Sequence, residues 1–429
     1  MRYTPPSKNL YINNRKNFVK QLKPGSLAIF NSNDQMPTNA DGTMPFRQNN
    51  DLLYLSGIDQ EESILVLFPD FYNENQREIL FLKETSELIA IWEGHKFTKE
   101  EACELSGIEE VYWLTEFNQV LNTLMAEAEY VYLNTNEHIR AVVEVETRDA
   151  RFAKWCRERY PNHKYERSAP LMHNLRAIKS DEEIKMMQIA CDITEQSFRR
   201  ILRFVKPGVT EYEIQAEYMH EFLKSRSRGF AYEPIIASGF NACVLHYIEN
   251  NETCNDGDVI LMDVGAEYGN YNADMTRCIP VNGRFTQRQK DVYNAVLNVK
   301  KAAEAMLVPG NVIPEYHKEV GKVMESELLG LGLIDKTEVK NQDPKNPAFR
   351  KYFMHGTSHH LGLDVHDVGN IYRKFEPGMV FTVEPGIYIR EENLGIRLED
   401  DLVIRENGLD NLMGNIPIEA DEIEDLMNS

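Results

Sequence analysis

The spacing of apolar residues divides the chain into two unlike halves. Up to about residue 165, short apolar runs of strand length recur: Ser26-Leu27-Ala28-Ile29-Phe30, Ile64 to Phe68 and Glu78 to Leu82. Glu100 to Leu105 and Thr147 to Arg157 carry helical spacing, so this half reads as mixed α/β. From Ser180 onward the period lengthens. Ser180-Asp181-Glu182-Glu183 is a capping box, in which the serine caps the first-turn amides and the glutamate reaches back. Ile184, Met187, Cys191, Thr194, Phe198 and Ile201 then follow at helical spacing, which predicts an amphipathic helix with one buried stripe. Pro207-Gly208 stops it. Thr210 with Glu213 and Thr286 with Gln289 predict two further helix starts. The second of these runs through Val292, Val296, Val299 and Ala303 to Pro309-Gly310.

These helices belong to an internal repeat. Lys206-Pro207-Gly208-Val209 precedes a helix from Glu211, and Val308-Pro309-Gly310-Asn311 precedes one from about Glu315. The apolar segment from Asp256 to Gly265 aligns with the segment from Pro377 to Gly386. In each copy a carboxylate, Asp263 or Glu384, stands six residues after one glycine and two before another. A second carboxylate follows in each copy, Asp274 in the first and Glu399 in the second.

Four acids at the ends of apolar strands need a physical explanation. Asp263 ends the run from Val259, and Asp274 opens the return run Met275 to Ile279, with Glu267-Tyr268-Gly269-Asn270 as the hairpin turn. A turn centred between Tyr268 and Gly269 sets residues 263 and 274 directly opposite, with Cβ atoms roughly 5 Å apart. Two such carboxylates repel unless a proton or a cation sits between them. Four carboxylates balance two divalent cations. Hard oxygen ligands suit Mn, Mg or Ca, and an added imidazole tilts the choice toward Mn, Zn, Fe or Co. Imidazoles are at hand: His355, His359, His360 and His366 lie close together, among glycines at 356, 362 and 369 that permit unusual dihedrals and close backbone approach. His360, beside His359, is expected to point elsewhere. His246 precedes the Asp263 strand.

Composition narrows the setting. The 429 residues, 42% hydrophobic and 27% charged, fit a globular chain of two domains. A formal charge of -21 disfavours nucleic acid and anionic membrane as partners. No stretch approaches the roughly 18–20 apolar residues of a membrane span. The N-terminal MRYTPPSKNL lacks the apolar core of a signal peptide. The six cysteines form no Cys-x-x-Cys pair, so a reduced, cytoplasmic protein is expected. A Gly-x-Ser-x-Gly elbow, a phosphate-binding glycine loop and the helical His-Glu-x-x-His motif are all absent.

The order Asp263, Asp274, His359, Glu384, Glu399, within MDVG, ADMTR, HGTSHHLGLDVHDVG, TVEPGIY and GIRLEDD, resembles the pita-bread dinuclear metallopeptidases. That family includes methionine aminopeptidase, prolidase and aminopeptidase P. The HYIEN and HDVG segments are similar to those of aminopeptidase P and prolidase. Residues 175–184, LRAIKSDEEI, look like the start of the catalytic domain, and Phe46 to Ile58, FRQNNDLLYLSGI, looks like the N-terminal domain that accompanies aminopeptidase P. The fold implied is α/β (α+β): an N-terminal mixed α/β domain over residues 1–174, then a pita-bread catalytic domain with pseudo-two-fold duplication over residues 175–429.

The resemblance also implies roles. Asp263 would bind one metal, His359 and Glu384 the other, with Asp274 and Glu399 as bridges, for two divalent ions expected to be manganese. His246, His355 and His366 match substrate and transition-state histidines, Arg397 matches an arginine that orients the metal-binding groups, and Tyr388 follows Glu384 as in aminopeptidase P. The implied activity is metal-assisted release of the N-terminal residue from peptides with proline in second position. His366 would stabilise the oxyanion and Glu384 would relay a proton to the leaving nitrogen. Two other readings compete. Ser358 before His359 counts against a prolidase restricted to Xaa-Pro dipeptides, and the full ligand set counts against a catalytically dead binding protein. The family's N-terminal domain walls the cleft and builds oligomer contacts, which implies a homodimer or homotetramer. Trp92, in Ile91-Trp92-Glu93-Gly94, resembles an aromatic residue offered to a cleft, its own or a neighbour's.

Overall fold

In the computed structural model, which describes residues 2–429, Pro5–Arg176 forms one compact unit. Ala177–Ser429, joined by the N-terminal residues through Thr4, forms the other. The strand Ser26–Asn31 is buried at every position because it runs through the middle of a six-stranded sheet. Ile64–Leu67, Glu78–Leu82 and Glu110–Trp113 follow on one side of it, and Tyr130–Leu133 and Lys164–Arg167 on the other. Leu27, Ile29, Val66, Phe81 and Val131 pack there with Leu121, Leu124 and Cys156 from two helices. The helix Glu87–Glu93 departs from this economy. None of its residues is buried, and Trp92 is 82% exposed, so this tryptophan is no part of the unit's core.

The N-terminal residues attach to the second unit through Tyr3 and Thr4. The Tyr3 ring packs edge-on against Tyr268, and the Thr4 amide donates to the Tyr268 hydroxyl at 3.1 Å. Within this unit the capping boxes at Ser180, Thr210 and Thr286 start helices Asp181–Phe204, Glu211–Lys224 and Gln287–Met306. A fourth helix spans Ile313–Gly330. The stripe from Ile184 to Ile201 is buried, Thr194 included. Two three-stranded sheets receive these helices. One orders Met275–Pro280, Val259–Val264 and Ile235–Ser238, and the other Val380–Val383, Asp400–Arg405 and Gly408–Asn411. The repeat is visible in the backbone. Gly208 and Gly310 both adopt φ +94°, and Gly257 and Gly378 adopt φ +90° and +88°. A left-handed backbone at equivalent places explains why both copies carry glycine there.

The first hairpin differs from its expected register. Gly269 and Asn270 both have positive φ (59° and 67°), the conformation of a two-residue type I′ turn, so the turn is centred one residue later than expected. Tyr268 pairs with Tyr271 and, further down, Asp263 pairs with Thr276, not with Asp274. At Gly265 a Cβ would come within 1.8 Å of the Ala273 carbonyl, so only glycine lets the returning strand press this close beside Asp274.

Candidate metal centre

The sheets and the connecting loops aim their acids at one spot. Asp263 lies in the strand Val259–Val264, and Asp274 lies just before Met275–Pro280. Glu384 directly follows Val380–Val383, and Glu399 directly precedes Asp400–Arg405. Carboxylate oxygens of Asp274 and Glu399 and a ring nitrogen of His359 lie within 4.8 Å of one another. His359 Nε2 stands 3.4 Å from Asp274 and 3.7 Å from Glu384. Asp263 joins through Tyr232, whose hydroxyl meets Asp263 Oδ1 at 2.5 Å and Asp274 Oδ1 at 2.7 Å.

The hydrogen bonds around these donors fix their orientation. His359 Nδ1 lies 2.9 Å from the His360 carbonyl, so Nδ1 carries the proton and the Nε2 lone pair faces the acids. Thr276 donates to Glu399 at 2.6 Å, and the Glu399 amide donates to the Thr276 carbonyl at 3.1 Å, tying the two sheets together. Arg397 reaches Asp263 with one guanidinium nitrogen, the Thr276 hydroxyl with Nε at 3.1 Å and the Tyr388 hydroxyl at 2.9 Å. Asp274 is also held by its backbone, which donates to Asp401 at 3.0 Å.

The electrostatics of the cluster call for cations. Burial pushes the Asp263 carboxyl up, against the pull of Arg397. Burial likewise pushes Glu384 up to about 7 and Glu399 well above the carboxylate range, with neighbouring acids adding to the rise at Glu399. Two buried carboxylates, Asp274 and Glu399, and two half-buried ones, Asp263 and Glu384, around one imidazole are a donor set that fits divalent metal ions, which would supply the missing positive charge.

The remaining candidate histidines sit around this cluster. His355 Nε2 accepts from Tyr388 at 2.8 Å, and its Nδ1 donates to the Gly356 carbonyl at 2.7 Å. Burial, then Arg397, lowers its pKa to about 3, so the ring stays neutral. The chain His355–Tyr388–Arg397–Asp263 thereby links a histidine to an acid. The His366 ring stands edge-on to His359, with centroids 4.4 Å apart. His246 is exposed, and its proximity contributes to the low pKa of His355. His360 turns away, as expected, and packs against Phe381. The three loop glycines owe their identity to close approach and not to φ. A Cβ at Gly356 would meet His317 at 2.8 Å, one at Gly362 would meet Asp367 at 2.3 Å, and one at Gly369 would meet His360 at 2.3 Å.

Tyr232 and Thr276 escaped the sequence reading. Thr276 had a signal, because it stands two residues after Asp274, on the same face of an extended segment. Tyr232 had none, since its two contacts span 31 and 42 residues.

Comparison with known proteins accounts for both units. The description Metallopeptidase family M24 matches residues 185–406, and Aminopeptidase P, N-terminal domain, matches residues 11–132. The chain is 37% identical to the Xaa-Pro aminopeptidase of Escherichia coli across 96% of both chains. Its fold superposes on an aminopeptidase of Pseudomonas aeruginosa with a TM-score of 0.90, at 32% identity, covering 100% of this chain and 99% of that one. It superposes on zinc-substituted E. coli aminopeptidase P in complex with product with a TM-score of 0.87, at 36% identity over 99% of each chain. The chain belongs to metallopeptidase family M24 and carries the N-terminal domain of aminopeptidase P ahead of its catalytic unit.

Proposed function

We infer that the protein is a Xaa-Pro aminopeptidase, a metal-dependent hydrolase that releases the N-terminal residue of peptides with proline in second position. One observation carries the reading: His359, Asp274 and Glu399 converge, with Asp263 and Glu384 beside them, in a chain similar over 96% of its length to a Xaa-Pro aminopeptidase. Two divalent ions, manganese in this reading, would be held by Asp263, Asp274, His359, Glu384 and Glu399. Four carboxylate charges against two divalent charges support the number, and the mixed oxygen and imidazole donors support the metal. Bound ions supply Lewis-acid chemistry, polarising the scissile carbonyl and lowering the pKa of water.

The chain's own groups do the rest. Glu384, which lies 3.7 Å from His359 at the edge of the cluster, is placed to carry a proton to the leaving nitrogen. When that nitrogen is proline's it is tertiary and must be protonated before it departs. His366, at the rim beside His359, donates a hydrogen bond to the developing oxyanion. His355 and His246 face the substrate, and Tyr388 holds His355 in its Nδ1–H form. Arg397 fixes Asp263. The chemistry belongs to residues 175–429, and residues 1–174 serve substrate selection and assembly. The unburied helix bearing Leu88, Ile91 and Trp92 supports a homodimer or homotetramer. No described helix is long and apolar enough to cross a membrane. Six unbridged cysteines support residence in the cytoplasm.

The test is a panel of Xaa-Pro dipeptides and longer Xaa-Pro peptides assayed with added manganese. Release of the first residue from the longer peptides is expected. Cleavage of dipeptides alone would make the protein a prolidase, and no cleavage of either would remove the catalytic reading.

A further inference from the structure

The segment LRAIKSDEEI has no member in the metal centre, yet its lysine reaches the loop that carries His366. Lys179 precedes the helix Asp181–Phe204, and its amide donates to the Gly378 carbonyl at 2.8 Å, which anchors it beside the second-repeat sheet. Its Nζ lies 2.9 Å from Asp367 Oδ2, and the two side chains are 1% and 0% exposed. Asp367 is the next residue after His366. Its own amide donates to the His360 carbonyl at 2.9 Å, closing the loop that runs from His360 to Asp367. The pair presses on that loop from behind. A Cβ at Gly362 would come 2.3 Å from the Asp367 carboxylate and 2.8 Å from Lys179 Cε.

A buried ion pair is a costly way to hold two segments together, since desolvation offsets much of the attraction. What it supplies is a fixed position. We propose that Lys179 and Asp367 are positioning residues, a buried latch that fixes the 360–367 loop and so holds the His366 imidazole over His359. The inference rests on the reading of His366 as a hydrogen-bond donor to the transition state. Displacing such a donor by about 1 Å costs on the order of 10²-fold in rate.

A double-mutant cycle tests it, read in kcat, KM, metal content and the Tm of the metal-free chain. The latch is neutralised as Lys179→Met with Asp367→Asn, which leaves no charge buried alone, and is combined with His366→Ala. His366→Ala alone is expected to lower kcat roughly 10²–10³-fold with metals retained. The neutral latch alone is expected to lower kcat about 10²-fold, with KM within about twofold and metal content intact. The combination is expected to be no slower than His366→Ala, because both changes remove one function. Effects that multiply would show that the pair does not act through His366, overturning the inference while the reading of His366 stands. A neutral latch with wild-type kcat, or one whose kcat falls only in proportion to lost metal or lost fold, would also overturn it. Undiminished kcat in His366→Ala would overturn the reading of His366 itself, and the latch with it. If the neutral pair does not fold, Asp367→Glu takes its place in the cycle, since it keeps both charges and lengthens one arm.

Discussion

Tyr232→Phe isolates one hydroxyl in the metal centre. That hydroxyl touches Asp263 at 2.5 Å and Asp274 at 2.7 Å, and burial pushes its pKa well above the ordinary tyrosine value, so it stays protonated as a donor. A phenol has one proton and donates to one carboxylate at a time. Losing a hydrogen bond to a charged group costs about 1.5–3 kcal/mol, because the acceptor stays buried and loses its partner. If the bond serves to orient the acids for metal, that energy appears as a roughly 10- to 150-fold loss of metal affinity. Metal affinity is measured by competition with a chromophoric chelator, stoichiometry by elemental analysis, and the Tm of the metal-free chain by calorimetry. Weakened binding with a near-unchanged metal-free Tm supports the reasoning. Affinity within twofold of wild type would refute it, as would a drop in metal-free stability large enough to account for the whole effect.

Glu399→Ala should leave fewer than two metals per chain and lower turnover by orders of magnitude; retention of both metals with normal turnover would end the dinuclear assignment. Trp92→Ala should leave Tm and metal content unchanged, given its 82% exposure, and should alter discrimination between Xaa-Pro dipeptides and longer peptides; unchanged discrimination would leave Trp92 without a part in the cleft. Asp149 offers a pH test, since burial raises its pKa to about 7 even though Asn31 and Asn49 donate to it. Below the unfolded carboxyl pKa both states hold the proton. As pH rises toward 7 only the folded state still holds it, so this group lowers stability by a total on the order of 4 kcal/mol. Asp149→Asn should therefore flatten the fall of Tm between about pH 4 and pH 7, and an unaltered profile would contradict the sign.

What the sequence disclosed was local. Ser180 with Glu183 and Thr286 with Gln289 cap helices because each box closes within three residues, and the stripe from Ile184 to Ile201 needs only the helical period. The acids of the candidate metal centre stood out as a set, since both repeats place them at strand ends. Their pairing did not. One residue of turn geometry at Gly269-Asn270 decided that Asp263 faces Thr276, and nothing upstream in the hairpin reports φ. Lys179 and Asp367 are separated by most of the catalytic unit, and no local pattern pairs a lysine with one aspartate among many. The glycines at 356, 362 and 369 were expected to serve unusual dihedrals and close approach, and only the second holds, a distinction that the neighbouring side chains reveal.

The division of the acids between two repeats sets the order in which the centre can come into being. Asp263 and Asp274 leave the ribosome first, whereas Arg397, which neutralises Asp263, follows 134 residues later. At about 5–20 residues per second that interval lasts roughly 7 to 27 s. Through it, the early half of the catalytic unit carries Asp263 without its guanidinium, and His359 is made only 96 residues after Asp263. For most of its own synthesis the nascent chain therefore lacks part of the donor set. A complete donor set for metal therefore waits on the second repeat, whose Glu384 and Glu399 are the last of the acids to be made.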